Sequence, residues 1–289
     1  MWLLPLLFFA QAAPADSPHL DKNPVYQELR KSGISVTQAK SFPIQEPYLA
    51  DGLDQAAQRK LIEKLGGRKY RFEELTRNTT VAPQILEIKE EKVPDGDTKA
   101  RIVHVYFVAY GDLEALAKGG KVGQPDSDAD KQWKPLAAED LAGKNVKIDD
   151  PNRESYGYFM NDLIDQVRLS GVLRTYWSQT EESLIAAAML DPRFDDDPDY
   201  PNRWQPLTGR GNNLKAGEAS PYHGAGGYTK ITKLKSPIGA LFIESHLIFA
   251  EPHGWFDGQN LLGSKLPAVL QHEVRTGRAD IKKATTDAK

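Results

Sequence analysis

One segment in the C-terminal third constrains the fold more than any other. Residues 239–250 form a run of mostly apolar side chains rich in isoleucine, leucine and phenylalanine, which predicts a strand. Because side chains alternate along a strand, both faces of this one are largely apolar, and we expect it to lie in the middle of a sheet. Glu244 and His246 fall on one face of it, two residues apart among apolar neighbours.

Other segments pair with this strand or form pairs of their own. The pattern indicates hairpins that comprise residues 81–92 with 101–110, residues 166–179 with 183–190, and residues 228–234 with 239–250. Helices are predicted over residues 25–31 and over residues 54–65, where Asp54 can cap the first turn and Gly66-Gly67 ends the helix.

A third helix is predicted near the C-terminus. It begins at a Ser264 cap, takes Pro267 in its first turn and stops at Gly277. Its apolar stripe consists of Leu266, Val269, Leu270 and Val274. Long antiparallel strands followed by such a helix predict an α+β fold, with a curved, mainly antiparallel sheet covered by the C-terminal amphipathic helix.

The domain organisation follows from composition along the chain. Residues 1–15 join a short apolar run to small residues, as in a secretory signal peptide, and residues 16–50 are a Pro-rich and polar lead-in that we expect to be partly mobile. Residues 51–289 are predicted to form a single α+β domain in which residues 193–227 are a long irregular segment. Residues 119–130 and 137–150 are interpreted as an exposed excursion.

Composition excludes several classes of function. The chain has 37 Lys and Arg against 40 Asp and Glu, which is too even to indicate a nucleic-acid partner, and it has no cysteine for a disulfide or a thiolate metal site. No apolar stretch after the leader approaches the roughly 20 residues that a membrane-spanning helix needs. The glycines at 224–227 precede a strand and the acidic run at 195–199 lacks an EF-hand pattern, so we predict no cofactor and no metal.

A polar set on two strands is the candidate ligand-binding site. In the strand over 101–110, His104 and Tyr106 share one face, and Glu244 and His246 share one face of the central strand. If both faces line one cavity, these four side chains could orient a ligand in a mostly apolar pocket. Alternatively, Glu244 and His246 are an acid/base pair, two ligands of a metal, or a structural pair.

The order of elements resembles a known superfamily. Residues 166–278 are similar to the helix-grip domains of the START-like superfamily, which implies a curved sheet around a long C-terminal helix and a cavity for an apolar ligand. Residues 251–258 and 264–267 also resemble a signature of uncharacterised exported bacterial proteins, which implies no activity.

Three functions are compatible with these observations. The first is an exported non-enzymatic protein, in the bacterial periplasm or outside the cell, that binds an apolar small molecule, a lipid or an envelope component. The second is a hydrolase that uses Glu244, His246, His253 or Asp257. The third is a structural envelope protein.

Export gives the first testable prediction. Signal peptidase reads small residues next to its cleavage site, so protein recovered from a bacterial periplasm should begin near Ala13 or Asp16. N-terminal sequencing measures this directly, and an intact Met1 on the exported protein would contradict it.

Overall fold

The computed structural model describes residues 20–37, 40–93, 98–119, 133–209, 211–256 and 259–287. The predicted signal peptide over residues 1–15 and most of the predicted excursion at 119–130 lie outside these ranges. The helices are α1 (Pro24–Lys31), α2 (Gln55–Gly66), α3 (Phe72–Leu75), α4 (Leu113–Gly119) and α5 (Leu261–Asp287).

The strands are β1 (Ile34–Thr37), β2 (Lys40–Phe42), β3 (Ile85–Lys92), β4 (Lys99–Tyr110), β5 (Trp133–Pro135), β6 (Glu154–Leu163), β7 (Val167–Gln179), β8 (Ser183–Leu190), β9 (Arg203–Thr208), β10 (Lys215–Ala216), β11 (Ser220–Pro221), β12 (Ala225–Lys233) and β13 (Ala240–Glu251). β1 and β2 pair with each other, and the remaining strands form an 11-stranded sheet in the order β10-β9-β7-β8-β12-β13-β4-β3, with β11 on β9, β6 on β7 and β5 on β6. The fold is α+β, with a large, mostly antiparallel curved sheet and a C-terminal helix, as predicted.

The predicted hairpins are confirmed, and β13 is the central strand that the sequence indicates. β3 pairs with β4, β7 with β8, and β12 with β13. β13 lies between β12 and β4, and all of its residues are buried. A strand buried on both sides needs a cover on each face of the sheet.

The first cover is α5. We call the side of the sheet that it contacts the helix face, which on β13 comprises Leu241, Ile243, Ser245, Leu247 and Phe249. The guanidinium of Arg278 in α5 lies 5.4 Å from the ring centroid of Phe107, which is paired with Ile243 on this face. α5 also packs against α4, and α4 packs against β8.

The second cover is the chain before β3. We call the side of the sheet that it contacts the N-terminal face, which on β13 comprises Phe242, Glu244, His246 and Ile248. α1 packs against β7, β8 and β12, and its Tyr26 ring meets the ring of Tyr228 edge-on at 5.1 Å. The described part of the lead-in therefore contains α1, β1 and β2 and contributes buried side chains, because its few apolar residues, such as Leu29 and Ile34, fall on the inward faces of these elements.

α2 follows its prediction closely. Asp54 accepts a hydrogen bond from the Ala57 backbone N–H at 2.7 Å, and the helix ends before Gly67, which has a φ of 58°.

Two segments differ from expectation. β6 was not predicted. Residues 193–227, predicted to be irregular, contain β9, β10, β11 and the start of β12, because β9 pairs with β7 and β10 and β11 pair with β9. These strands are short and show no long alternation of apolar residues, so their residue pattern carries no strand signal.

The predicted bounds of the C-terminal helix are wrong. α5 begins at Leu261, where the side chain of Asn260 accepts a hydrogen bond from the Gly263 N–H at 3.0 Å, so Asn260 and not Ser264 caps it. Pro267 therefore lies inside the helix rather than in its first turn. The helix also continues through Gly277, because the residues beyond it are anchored by tertiary contacts that outweigh the low helix propensity of glycine.

Arg278 provides that anchor. Its guanidinium donates to the backbone carbonyls of Val108 at 2.9 Å, Ala82 at 2.7 Å and Pro83 at 2.9 Å. Burial lowers the pKa of Arg278 to about 10, and its side chain is 4% exposed.

In the described residues, no helix is both long and apolar enough to cross a membrane.

The burial of α5 predicts the effect of a single truncation. Leu270 is 1% exposed within the core, so Leu270→Ala should lower the free energy of unfolding by about 2–5 kcal/mol. Urea and thermal melts measure this, with the exposed neighbour Gln271→Ala as the control that should change it by less than about 0.5 kcal/mol. Equal melts for the two variants would show that α5 is peripheral.

Candidate functional site

The four predicted site residues come together in one buried cluster. In the pairing of β4 with β13, His104 lies opposite His246, and Tyr106 lies opposite Glu244. His104 Nδ1 is 2.7 Å from His246 Nδ1, and His246 Nε2 is 3.2 Å from Glu244 Oε2. The cluster lies on the N-terminal face, on the side of the sheet away from α5. Its role in binding a ligand stays a prediction.

Main-chain groups of the lead-in complete this cluster. The Glu244 carboxylate accepts hydrogen bonds from the backbone N–H groups of Tyr48 at 2.5 Å and Leu49 at 3.3 Å. The Tyr106 hydroxyl accepts from Gln45 Nε2 at 3.2 Å. The chain at residues 45–49 therefore covers the polar set and meets the requirement that a buried carboxylate be hydrogen-bonded.

A buried lysine belongs to the same network and was missed in the sequence. Lys230 lies opposite Glu244 in the pairing of β12 with β13 and is 0% exposed. Its Nζ donates to the Leu49 carbonyl at 2.6 Å and lies 2.7 Å from Asp51 Oδ1. Burial raises the pKa of the Asp51 carboxyl, but the hydrogen bond and charge of Lys230, with Ser183, outweigh it, so the net pKa is lowered. A lysine in the middle of a strand that pairs with the apolar residues 239–250 was the available signal.

The contacts of the histidine pair allow an arrangement of ring protons in which His246 Nε2–H donates to the Glu244 carboxylate and His104 Nδ1–H donates to His246 Nδ1. Burial, reinforced by the adjacent His246, lowers the pKa of His104 to about 4. His104 is therefore neutral at pH 7 in the folded protein.

The geometry gives little support to a catalytic or metal site here. His253 is exposed in the turn after β13, seven residues beyond His246, a span of about 20 Å along an extended strand. Asp257 lies outside the described residues. Within the described ranges, no group of three or more His, Cys, Asp or Glu side chains is placed to hold a metal ion.

The helix face carries a different feature that the sequence analysis did not identify. Across β13, β12, β8, β7 and β6 this face carries a set of small side chains, and we call this set the small-residue band: Ser245, Thr229, Gly227, Ala186, Ala188, Thr175 and Ser155. Two large side chains stand in the same rows, Leu247 opposite Gly227 and Trp177 opposite Ala186. The hydroxyls of the band bond to each other, Thr229 with Ser245 at 2.9 Å and Ser155 with Thr175 at 2.7 Å. The consecutive alanines of β8 were the available signal.

Larger side chains border the band on both sides. Leu184, Ile231 and Ile243 form the row toward α4, and Leu190 and Phe249 lie on the opposite side. Most of the band is buried, whereas Ser155 at its β6 end is exposed to solvent. Small side chains within a face of large ones leave volume above them unless another element approaches closely.

No family model matches the sequence, and no curated protein matches it. Among solved structures, the chain is similar to the human StarD13 (DLC2) lipid transfer and protein localization domain, with 11% sequence identity and a TM-score of 0.33 over 82% of this chain and 98% of that domain. A TM-score of this size leaves the fold class to be established from the strand pairing of the chain itself. Membership of the exported bacterial family stays a prediction.

The His104 pKa predicts how stability depends on pH. An unfolded histidine has a pKa of about 6.5, so between about pH 6.5 and 4 the unfolded chain binds a proton at this position that the folded chain does not. The stability due to neutral His104 is fully present above pH 6.5, and about 3 kcal/mol is lost as the pH falls to 4.

His104→Asn keeps a hydrogen-bonding group near the Nδ1 position and removes the titration. Urea melts from pH 7 to 4 should show a shallower loss of stability in this variant than in the wild type, while the exposed His253→Asn keeps the wild-type slope. The same slope in His104→Asn and wild type would contradict the assignment.

Proposed function

We propose that the protein binds an apolar small molecule or a lipid between the small-residue band and helices α4 and α5. The observation that carries this proposal is the band itself. Alanine and glycine side chains in β8 and β12 are too short to fill the layer between a sheet and a helix by themselves, while leucine, phenylalanine and Trp177 surround them. Ligand sites in proteins are concave, mostly apolar spaces with a small number of polar groups.

The position of the covering elements supports the same proposal. α5 packs against β4, and α4 packs against α5 and β8, so the two helices lie on the face that carries the band. The exposed Ser155 at the β6 end offers a route between the band and solvent. The hydroxyl pairs in the band bond to each other, so a ligand body there meets few unpaired polar groups.

The alternative functions have less support. A hydrolase would bring His253 or Asp257 near Glu244 and His246; His253 is separated from them along the chain, and Asp257 lies outside the described residues. A structural envelope component would present a contiguous apolar surface, whereas the large exposed hydrophobic residues in the described ranges are Val81, Met160 and Ile238, on three separate segments. Export to the periplasm or the cell exterior is part of the proposal, and its support is the pattern of residues 1–15.

Adjacent alanines of β8 provide a matched test. Ala188 faces the band, and Ala187 faces the opposite side, where β8 packs under α1. Ala188→Leu should fill the proposed space, weaken binding of the neutral dye N-phenyl-1-naphthylamine about tenfold, and leave the melting temperature nearly unchanged. Dye fluorescence and thermal melts measure the two quantities.

Ala187→Leu is the control. Ala187 and Ala188 are 1% and 2% exposed, but Ala187 lies on the face that α1 covers, so a larger side chain there should overpack the core and cost about 1–3 kcal/mol, while the folded fraction still binds the dye. The proposal is contradicted if wild-type protein does not bind the dye, or if Ala188→Leu is destabilised as much as Ala187→Leu.

A further inference from the structure

The exposed end of the small-residue band has a large aromatic side chain on one side and a glycine on the other. The band ends on β6 at Ser155, which is exposed, whereas its partner Thr175 on β7 is 4% exposed. On the same face, Trp177 is the next side chain along β7, and Gly157 is the next residue along β6, on the opposite side of this pair. A molecule that moves between the band and solvent at this end therefore passes between Trp177 and the side chain that covers Gly157.

The side chain that covers Gly157 is Trp133. It begins β5 and is paired with Phe159, which lies on the same face of β6 as Ser155 and Gly157. The indole ring lies so close to the Gly157 backbone that a Cβ at this position would overlap it. Because residue 157 has no side chain, it forms a seat for the indole beside the exposed end of the band.

The two tryptophans at this end differ in how they are held. Trp177 is 4% exposed, and its Nε1–H donates to the Asn152 carbonyl at 3.0 Å. Trp133 is partly exposed and belongs to a three-residue strand that, among the described strands, pairs with β6 alone. Short elements at the edge of a sheet open locally at a lower free-energy cost than the core does. Trp133 is therefore the side chain that can leave its position while Trp177 remains a fixed wall.

We propose that Trp133 is the gate of the ligand site. Its ring closes the β6 end of the band when it lies on Gly157, and it leaves this seat when a ligand enters or departs. The open state needs only a small population, because the rate of entry scales with the fraction of molecules that are open. This inference rests on the proposed function and adds the route of entry and the residue that controls it.

Stopped-flow mixing with N-phenyl-1-naphthylamine tests the gate. If the site is open for about 10% of the time or less, Trp133→Ala should raise the association rate of the dye at least about tenfold. A side chain that only lined the ligand space would act on the dissociation rate instead, because its loss removes contacts with the bound dye.

Tyr158→Ala is the matched control. Tyr158 belongs to the same pair of strands, opposite Lys134, but lies on the other face of β6 from Gly157. This variant removes an aromatic ring of the β5–β6 pair without opening the proposed route, so it should retain the wild-type association rate. An association rate in Trp133→Ala equal to that of the wild type or of Tyr158→Ala would overturn the inference.

Gly157→Ala gives a second test that leaves the tryptophan in place. The added methyl group should displace the ring from its seat and raise the association rate as Trp133→Ala does. In the double variant the two effects should not add, because the ring that Gly157 seats is already absent. Full additivity would overturn the inference. Failure of wild-type protein to bind the dye would instead contradict the proposed function.

Discussion

The burial of β13 on both faces is the constraint on which the rest of the structure depends. Every residue of this strand is buried, so the sheet needs a layer on each side. α5 supplies one layer and the chain before β3 supplies the other. The same requirement explains why α5 continues past Gly277, since its last turns still cover β4 and are held there by Arg278 and by Ile281, which is 0% exposed.

The two layers differ in chemistry, and this difference separates their roles. On the N-terminal face, the main chain of Tyr48 and Leu49 bonds Glu244 and Lys230, and the Asp51 carboxylate pairs with Lys230, so this layer is bound to the sheet by the protein's own polar groups. Buried charges without those partners would cost several kcal/mol, which favours a closed, structural contact there. The helix face instead has short side chains on β8 and β12, and the proposed ligand space lies over them.

Alternation along the strands made much of this predictable. It placed Glu244 with His246 and His104 with Tyr106, and the central position of β13 then brought both pairs together. The partners of the cluster could not be predicted, because Tyr48 and Leu49 act through backbone N–H groups that leave no pattern in the sequence. β6 and the strands of residues 203–221 were missed because pairing with β7, rather than local propensity, makes them strands.

Native mass spectrometry of the purified protein with an excess of dodecanol tests the central claim most directly, since it counts bound molecules without a reporter dye. The account predicts a species with one bound dodecanol in the wild type, and loss of that species in Ala188→Leu while Ala187→Leu retains it in its folded charge states. Protein without bound dodecanol in the wild type, or equal binding by Ala188→Leu, would contradict a ligand space at the small-residue band.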